Sequence, residues 1–298
     1  MRLNPPQRRG AMSIQCSHGL GLLAVLLSLL APCAFAKTQP VGFELAFTPF
    51  LPAHTMIQNY QPMRAYLEMR LQEPVTLVTA PSYKIFNDRL RQHAYPFVIT
   101  TANSAYLAYA DSGYIPLLRP AINTRPVLIV AKQSTVATMR ALRGAILTLP
   151  DPLAIVSMQA LSMLREAGLD PRRDVTIKYL PNHGAAVNYV ISGEAAAAVV
   201  SDRALMQMPD VSRHAVRVVQ TWEPGAAPGV VYLASPQVAR ARAERLSQAI
   251  IEFVRNTAEG REMIRKLGYG DLVPTKAEDL KPLAAYGAQL KAALGAVP

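Results

Sequence analysis

Cysteine is almost missing from this sequence: two among 298 residues, Cys16 and Cys33, both near the start. Charged residues make up only 17%, aromatics 7%, and tryptophan occurs once. Each shortage closes a class of function. Past position 33 there is no disulfide framework, thiol nucleophile or thiolate metal site. Phosphate-cradling loops are missing too, with neither GxxxxGK[ST] nor a GxGxxG after a strand. The serine-hydrolase elbow Gly-x-Ser-x-Gly does not occur. Beyond the first 36 residues the histidines are His54, His93, His183 and His214, and none forms an HxH or HxxxH pair. Basic residues are scattered in ones and twos rather than interleaved with aromatics, which leaves nucleic-acid binding unsupported. The reading therefore contains no metal, no cofactor, no catalytic residue and no nucleic-acid partner.

What is present begins with a leader. Arg2, Arg8 and Arg9 form a positive segment without acids, and Leu20–Leu30 is an apolar run of 11 residues. A bilayer-spanning helix needs about 20. Ala34-Phe35-Ala36 then supplies small residues where a signal peptidase reads, so residues 1–36 are expected to be a cleaved signal peptide. Export to the periplasm follows. Leu30-Ala31-Pro32-Cys33 also has the outline of a lipoprotein box, which keeps a lipid on Cys33 open as an alternative. Cleavage leaves 262 residues and no cysteine. The net charge of +11 loses the leader's three arginines and becomes +8, a basic surface that attracts anions weakly at long range.

A hydrophobic fraction of 51% over this length supports one large or two modest domains with substantial cores. Short runs rich in Val, Ile and Thr alternate with helical patterns. Strands are expected at Phe43–Phe47, Val75–Thr79, Pro96–Thr100, Ile115–Leu118 and Val127–Ala131. Five more follow at Ala145–Leu149, Val175–Leu180, Ala196–Val200, Val216–Thr221 and Val230–Ala234. Helices between them, such as Met56–Leu71, Tyr83–Gln92, Ile155–Ala167 and Gly184–Ser192, imply parallel sheets covered on both faces. From Gln237 onward the pattern reads as helices only, with Leu246, Ile250, Ile251 and Val254 on one stripe. The order of these units places one α/β unit inside another. The expected division is a first lobe over 37–125, an inserted second lobe over 126–222, and a return to the first lobe over 223–298. Such a build sets a cleft between lobes, lined by strand C-termini and helix N-termini.

Candidate ligand residues follow from that geometry. Asp151, in Leu149-Pro150-Asp151-Pro152, is expected to cap the helix starting near Ala154, whose free N–H groups suit an anion. Thr101 and Asn103 follow a strand, where capping and ligand contact compete as explanations. Asn182-His183-Gly184 follows another strand and starts a helix, giving His183 the best claim to the cleft among the histidines. Tyr83 opens the helix after Val75–Thr79, where a phenol either donates to a ligand or fills the core. Ser157 completes the set as a hydroxyl in the turn after Asp151.

These fragments, in order, carry a resemblance: the Gly42–Pro49 strand and turn, Pro62-Met63-Arg64-Ala65-Tyr66-Leu67, Tyr83 with its helix, Asn123–Lys132 before Leu142-Arg143-Gly144, Asp151-Pro152, Asn182-His183-Gly184-Ala185-Ala186 and Ile191-Ser192-Gly193. Together they resemble the phosphate/phosphonate-type periplasmic substrate-binding proteins of ABC transporters. The resemblance implies α/β architecture of the type II periplasmic binding fold. Each of its two lobes is a mostly parallel sheet flanked by helices, and the ligand cleft lies between them. It implies a monomer, not an enzyme, that captures a small anionic ligand and docks to an inner-membrane ABC permease. The family's hydroxyl residues after the Asp-Pro turn are replaced here by Leu153-Ala154-Ile155-Val156. Asn182 stands before the histidine in place of a small hydroxyl residue, and Ala196 stands where an acid is expected. The fold therefore transfers more firmly than the ligand. A sensing role, with the ligand state presented to a membrane histidine kinase, stays open beside transport. An exported enzyme on the same scaffold is opposed by the missing nucleophile and metal motifs.

Overall fold

The computed structural model describes residues 42–223 and 228–296. The signal segment, with Cys16 and Cys33, lies outside the described residues. The first lobe begins with β1 (Phe43–Phe47), α1 (Ala53–Leu71), β2 (Val75–Thr79), α2 (Tyr83–Arg91), β3 (Phe97–Thr101), α3 (Ala102–Ser112) and β4 (Ile115–Pro120). The chain then crosses to a second sheet. That sheet is built from β5 (Pro126–Ala131), β6 (Ile146–Leu149), β7 (Thr176–Tyr179), β8 (Ala197–Ser201) and β9 (Val216–Thr221). Its helices are α4 (Ile155–Glu166), α5 (His183–Ile191), α6 (Asp202–Met206) and α7 (Asp210–Ala215). A second crossing returns the chain as β10 (Val230–Ala234), followed by α8 (Arg240–Asn256), α9 (Ala258–Leu267), β11 (Leu272–Pro274), α10 (Ala277–Leu280) and α11 (Ala284–Ala296).

The sheet orders are β11-β4-β10-β3-β1-β2 and β7-β6-β8-β5-β9. Most strands in each are parallel, but β10 runs against β3 and β4, β5 runs against β8 and β9, and β11 runs against β4. The expectation of parallel sheets is corrected at these three strands. For β5 and β10 the reason is their origin. Each is the first strand after a crossing and enters its sheet from the end at which the preceding strand left. At the crossing itself, Asn123 and Pro228 form an isolated antiparallel bridge. The helical reading of the tail is corrected by β11, a three-residue edge strand whose Leu272 is fully buried.

Alternation along β1 assigns its faces. Phe43, Leu45 and Phe47 pack with Met63, Leu67, Leu246 and Phe253 under α1 and α8, while Ala46 faces Phe86, Val98 and Leu233 on the other side. Both faces of β3 are buried, as a central strand requires. The second lobe has its own cluster, built on Leu128, Leu147, Leu149, Leu164 and Val199. In α8 the buried stripe is Leu246, Ile250, Phe253 and Val254, with Ile251 half-buried.

Candidate ligand site between the lobes

Strand direction decides where a site can form. β4 ends at the first crossing and β9 at the second, so the strands parallel to them also aim their C-terminal ends at the lobe boundary. Between those ends lies a partly open cavity of about 40 Å³, room for roughly three water molecules. The lobes meet closely around it. The His183 N–H donates to Phe50 O at 3.1 Å, Asn103 Nδ2 donates to Leu153 O at 2.9 Å, and Asn59 Nδ2 donates to Gln207 O at 3.1 Å. Phe50 and Leu51 of one lobe share an apolar cluster with Leu153, Ala154 and Leu180 of the other.

Three of the six residues expected from sequence line this cavity: Tyr83, Thr101 and His183. Tyr83 is the first residue of α2, after the Ser82 cap that accepts the Ile85 N–H. It is fully buried, and its hydroxyl has no hydrogen-bond partner among the described residues. Burial, with the nearby Asp151 charge, holds the phenol well above its usual pKa, so it remains a neutral donor. Thr101 ends β3 and donates through Oγ1 to Asn103 Oδ1 at 2.9 Å. His183 opens α5, and its Nδ1 accepts the Ser201 N–H at 3.3 Å, which puts the ring proton on Nε2. Burial lowers its pKa to about 3.

Asn103, Asp151 and Ser157 are not among the lining residues. Asn103 uses its amide in the cross-lobe bond to Leu153 O. Ser157 Oγ donates to Pro150 O at 3.0 Å. Asp151 Oδ1 accepts the Leu153 N–H at 2.9 Å, a local turn rather than the helix cap expected of it. The cap position of α4 belongs to Ala154, one turn later, which has no side chain able to accept. The first-turn amides of Ile155 and Val156 consequently have no acceptor among the described residues, and both residues line the cavity. Burial raises the Asp151 carboxyl above its ordinary value.

Six further polar lining residues escaped the sequence reading: Thr124, Gln159, Ser201, Arg203, Gln207 and Tyr269. Tyr269 donates to or accepts from Tyr60 across 2.8 Å between hydroxyls, at the back of the cavity. Thr124 Oγ1, Gln207 Oε1 and Arg203 Nε are buried without hydrogen-bond partners among the described residues. Together with the Tyr83 hydroxyl, four orphaned polar atoms converge on one small space. Buried polar groups are normally paired, because leaving one unmade costs about 1–3 kcal/mol.

Two α/β lobes joined by two crossings, with a partly open cavity between strand ends, define a protein of the type II periplasmic binding fold. The chain belongs to the family of periplasmic substrate-binding proteins of ABC phosphonate transporters, whose sequence profile matches residues 45–280. Solved structures agree on the fold. PhnD1 from Prochlorococcus marinus, in complex with methylphosphonate, superposes with a TM-score of 0.72 at 12% identity, covering 84% of this chain and 98% of that one. A binding protein component of an ABC phosphonate transporter from Pseudomonas aeruginosa gives 0.71 at 12% identity, over 85% and 88%. The alkanesulfonate-binding protein SsuA from Xanthomonas axonopodis pv. citri, bound to MOPS, gives 0.61 at 18% identity, over 87% and 95%. None of the curated protein sequences matches this chain.

Proposed function

We propose that this protein is exported to the periplasm, captures a small oxyanion between its lobes, and delivers it to the inner-membrane permease of an ABC transporter without chemical change. The observation that carries the ligand class is the start of α4. Ile155 and Val156, whose amides at the uncapped helix end are free, line the same cavity as Tyr83, whose hydroxyl is unpaired among the described residues. A helix N-terminus carries roughly half a positive charge and points N–H groups at an anion. His183, neutral with its proton on Nε2, adds a donor from the same lobe as α4, while Tyr83 comes from the other. The family's missing hydroxyls are thus replaced by backbone amides, a phenol and an imidazole.

Calorimetric titration of the purified protein with methylphosphonate, methanesulfonate, phosphate and sulfate tests this reading. At least one tetrahedral oxyanion binds with micromolar or tighter affinity, and Tyr83→Phe weakens that binding by about tenfold, the loss of one hydrogen bond to a charged group. No binding by any of the four at millimolar concentration sinks the proposal.

A further inference from the structure

The charge of the cavity wall is unusually simple. Among the described lining residues Arg203 carries the one formal charge; the others are neutral side chains, and no carboxylate is among them. Residues 224–227, Pro-Gly-Ala-Ala, contain no ionisable side chain. Arg203 is the second residue of α6, immediately after the end of β8, and its side chain is 13% exposed. Its neighbours do little for its charge. Asp202 lies 3.8 Å away, and that carboxylate is already engaged by the Arg125 N–H at 3.0 Å and by Arg125 Nε at 3.3 Å. Arg203 Nη1 reaches the Met206 sulfur at 3.3 Å, a weak acceptor, and Nε has no partner among the described residues. The guanidinium also lies against the other lobe: a Cβ on Gly268 would sit 3.0 Å from Nη1. Arg203 thus stands between the cavity, whose wall it lines, and an outer surface depression that it shares with Met206, Gly268, Arg261 and Arg265, and as an under-compensated cation it is the charge nearest a molecule held between the lobes.

Resting on the oxyanion reading above, we propose that Arg203 is the charge-selecting residue of the closed cleft and that the cleft is built for a singly charged oxyanion. A sulfonate, or a phosphonate in its monoanionic form, has one negative charge to set against one guanidinium. A dianion brings a second charge into the same space between the lobes. There the α4 end supplies roughly half an elementary charge, less than another cation would. An uncompensated buried charge is strongly disfavoured. Arginine suits the role because its planar donors match a tetrahedral oxyanion in pairs and it stays protonated throughout the working pH range.

The test uses three tetrahedral ligands of similar size, titrated calorimetrically at one pH: methanesulfonate, charge −1; sulfate, charge −2; and methanesulfonamide, uncharged. The wild-type protein binds methanesulfonate about tenfold or more tighter than either of the others. In Arg203→Gln the preference over methanesulfonamide collapses to about threefold or less, and Arg203→Lys restores part of it. Thermal melts of both variants check that they fold. Sulfate binding as tightly as methanesulfonate overturns the single-charge claim in the wild type alone, whatever the variants do. A wild-type preference that survives in Arg203→Gln overturns the role of Arg203 while leaving the oxyanion reading intact. Failure of the wild type to bind methylphosphonate, phosphate and both anions above overturns the oxyanion reading itself.

Discussion

At the scale of single residues, His183 links the site to folding. Its pKa in the folded protein, about 3, lies below the free imidazole value of 6.5, so on acidification the unfolded chain takes up the proton first. Stability tied to the neutral ring is complete above pH 6.5 and is lost progressively as pH falls from there toward 3. The slope reaches at most about 1.4 kcal/mol per pH unit. Asp151 has the opposite sign: its raised carboxyl pKa favours the protonated folded state, so its contribution falls as pH rises through the carboxylate range. The two effects are separated by comparing the wild type with His183→Asn, since both carry Asp151 and its contribution cancels in the difference. Thermal melts from pH 7 to 5 should show a steeper fall in Tm for the wild type than for His183→Asn, whose amide oxygen can still accept the Ser201 N–H. Each kcal/mol corresponds to about 2–4 °C at this size; parallel curves would place the titration elsewhere. The legible site residues share one trait. Tyr83, Thr101 and His183 each stand where a strand hands over to a helix, a position marked by local pattern alone. The same rule applied to the end of β8 points at Ser201–Arg203. Thr124 and Tyr269 carry no such mark, because a crossing segment and the turn after α9 are brought to the cavity only by the way the lobes fold.

Among the elements, the four strands β1, β2, β9 and β10 have the bounds that their apolar runs predict, and the rest differ by one or two residues. Strand orientation was not legible, since direction belongs to the pairing rather than to the strand. β11 was hidden for a related reason: Leu272-Val273-Pro274 is too short to show alternation and exists by pairing with the edge of β4. The start of α5 shows an element serving the other lobe. Gly184 sits in its first turn, where alanine would favour the isolated helix by up to about 1 kcal/mol. A Cβ there would lie 2.8 Å from Pro52 Cδ and 3.0 Å from Pro52 Cγ, both in a ring that cannot swing aside. Gly184→Ala therefore obstructs closure without weakening its own lobe. The expected result is an unchanged or slightly raised Tm with affinity for the preferred oxyanion reduced by about tenfold or more, a loss on the scale of ordinary overpacking. Wild-type affinity in this variant would show that the lobes close with room to spare.

For the whole molecule, the balance between open and closed forms sets the affinity. The direct cross-lobe hydrogen bonds are few, each contributing about 1 kcal/mol net, and they act together with the apolar patch of Phe50, Leu51 and Leu153. A ligand that bridges the lobes binds the closed form selectively, and its apparent affinity scales with the fraction already closed. Asn103 probes this effect, because its amide nitrogen spans the boundary to Leu153 O without lining the cavity; its Oδ1 also holds the hydroxyl of the lining residue Thr101, so the affinity is read together with scattering. Removing that bond in Asn103→Ala lowers the closed fraction by a factor of about five for each kcal/mol lost, and the apparent affinity falls by the same factor if the open form predominates. Small-angle scattering separates this from local damage. Without ligand the variant should have a radius of gyration equal to or larger than the wild type's, and with saturating ligand the two should coincide. Trp222, the chain's one tryptophan, stands at the second crossing with its N–H on Pro126 O at 3.1 Å. Its emission should follow the same titration, saturating at higher ligand concentration in the variant. Equal affinity, with equal scattering at every ligand concentration, would mean that closure does not depend on the Asn103 bridge. The apolar patch would then hold the lobes together with the remaining cross-lobe bonds, among them His183 N–H to Phe50 O, Asn59 to Gln207 O and Gln159 to the Tyr286 hydroxyl.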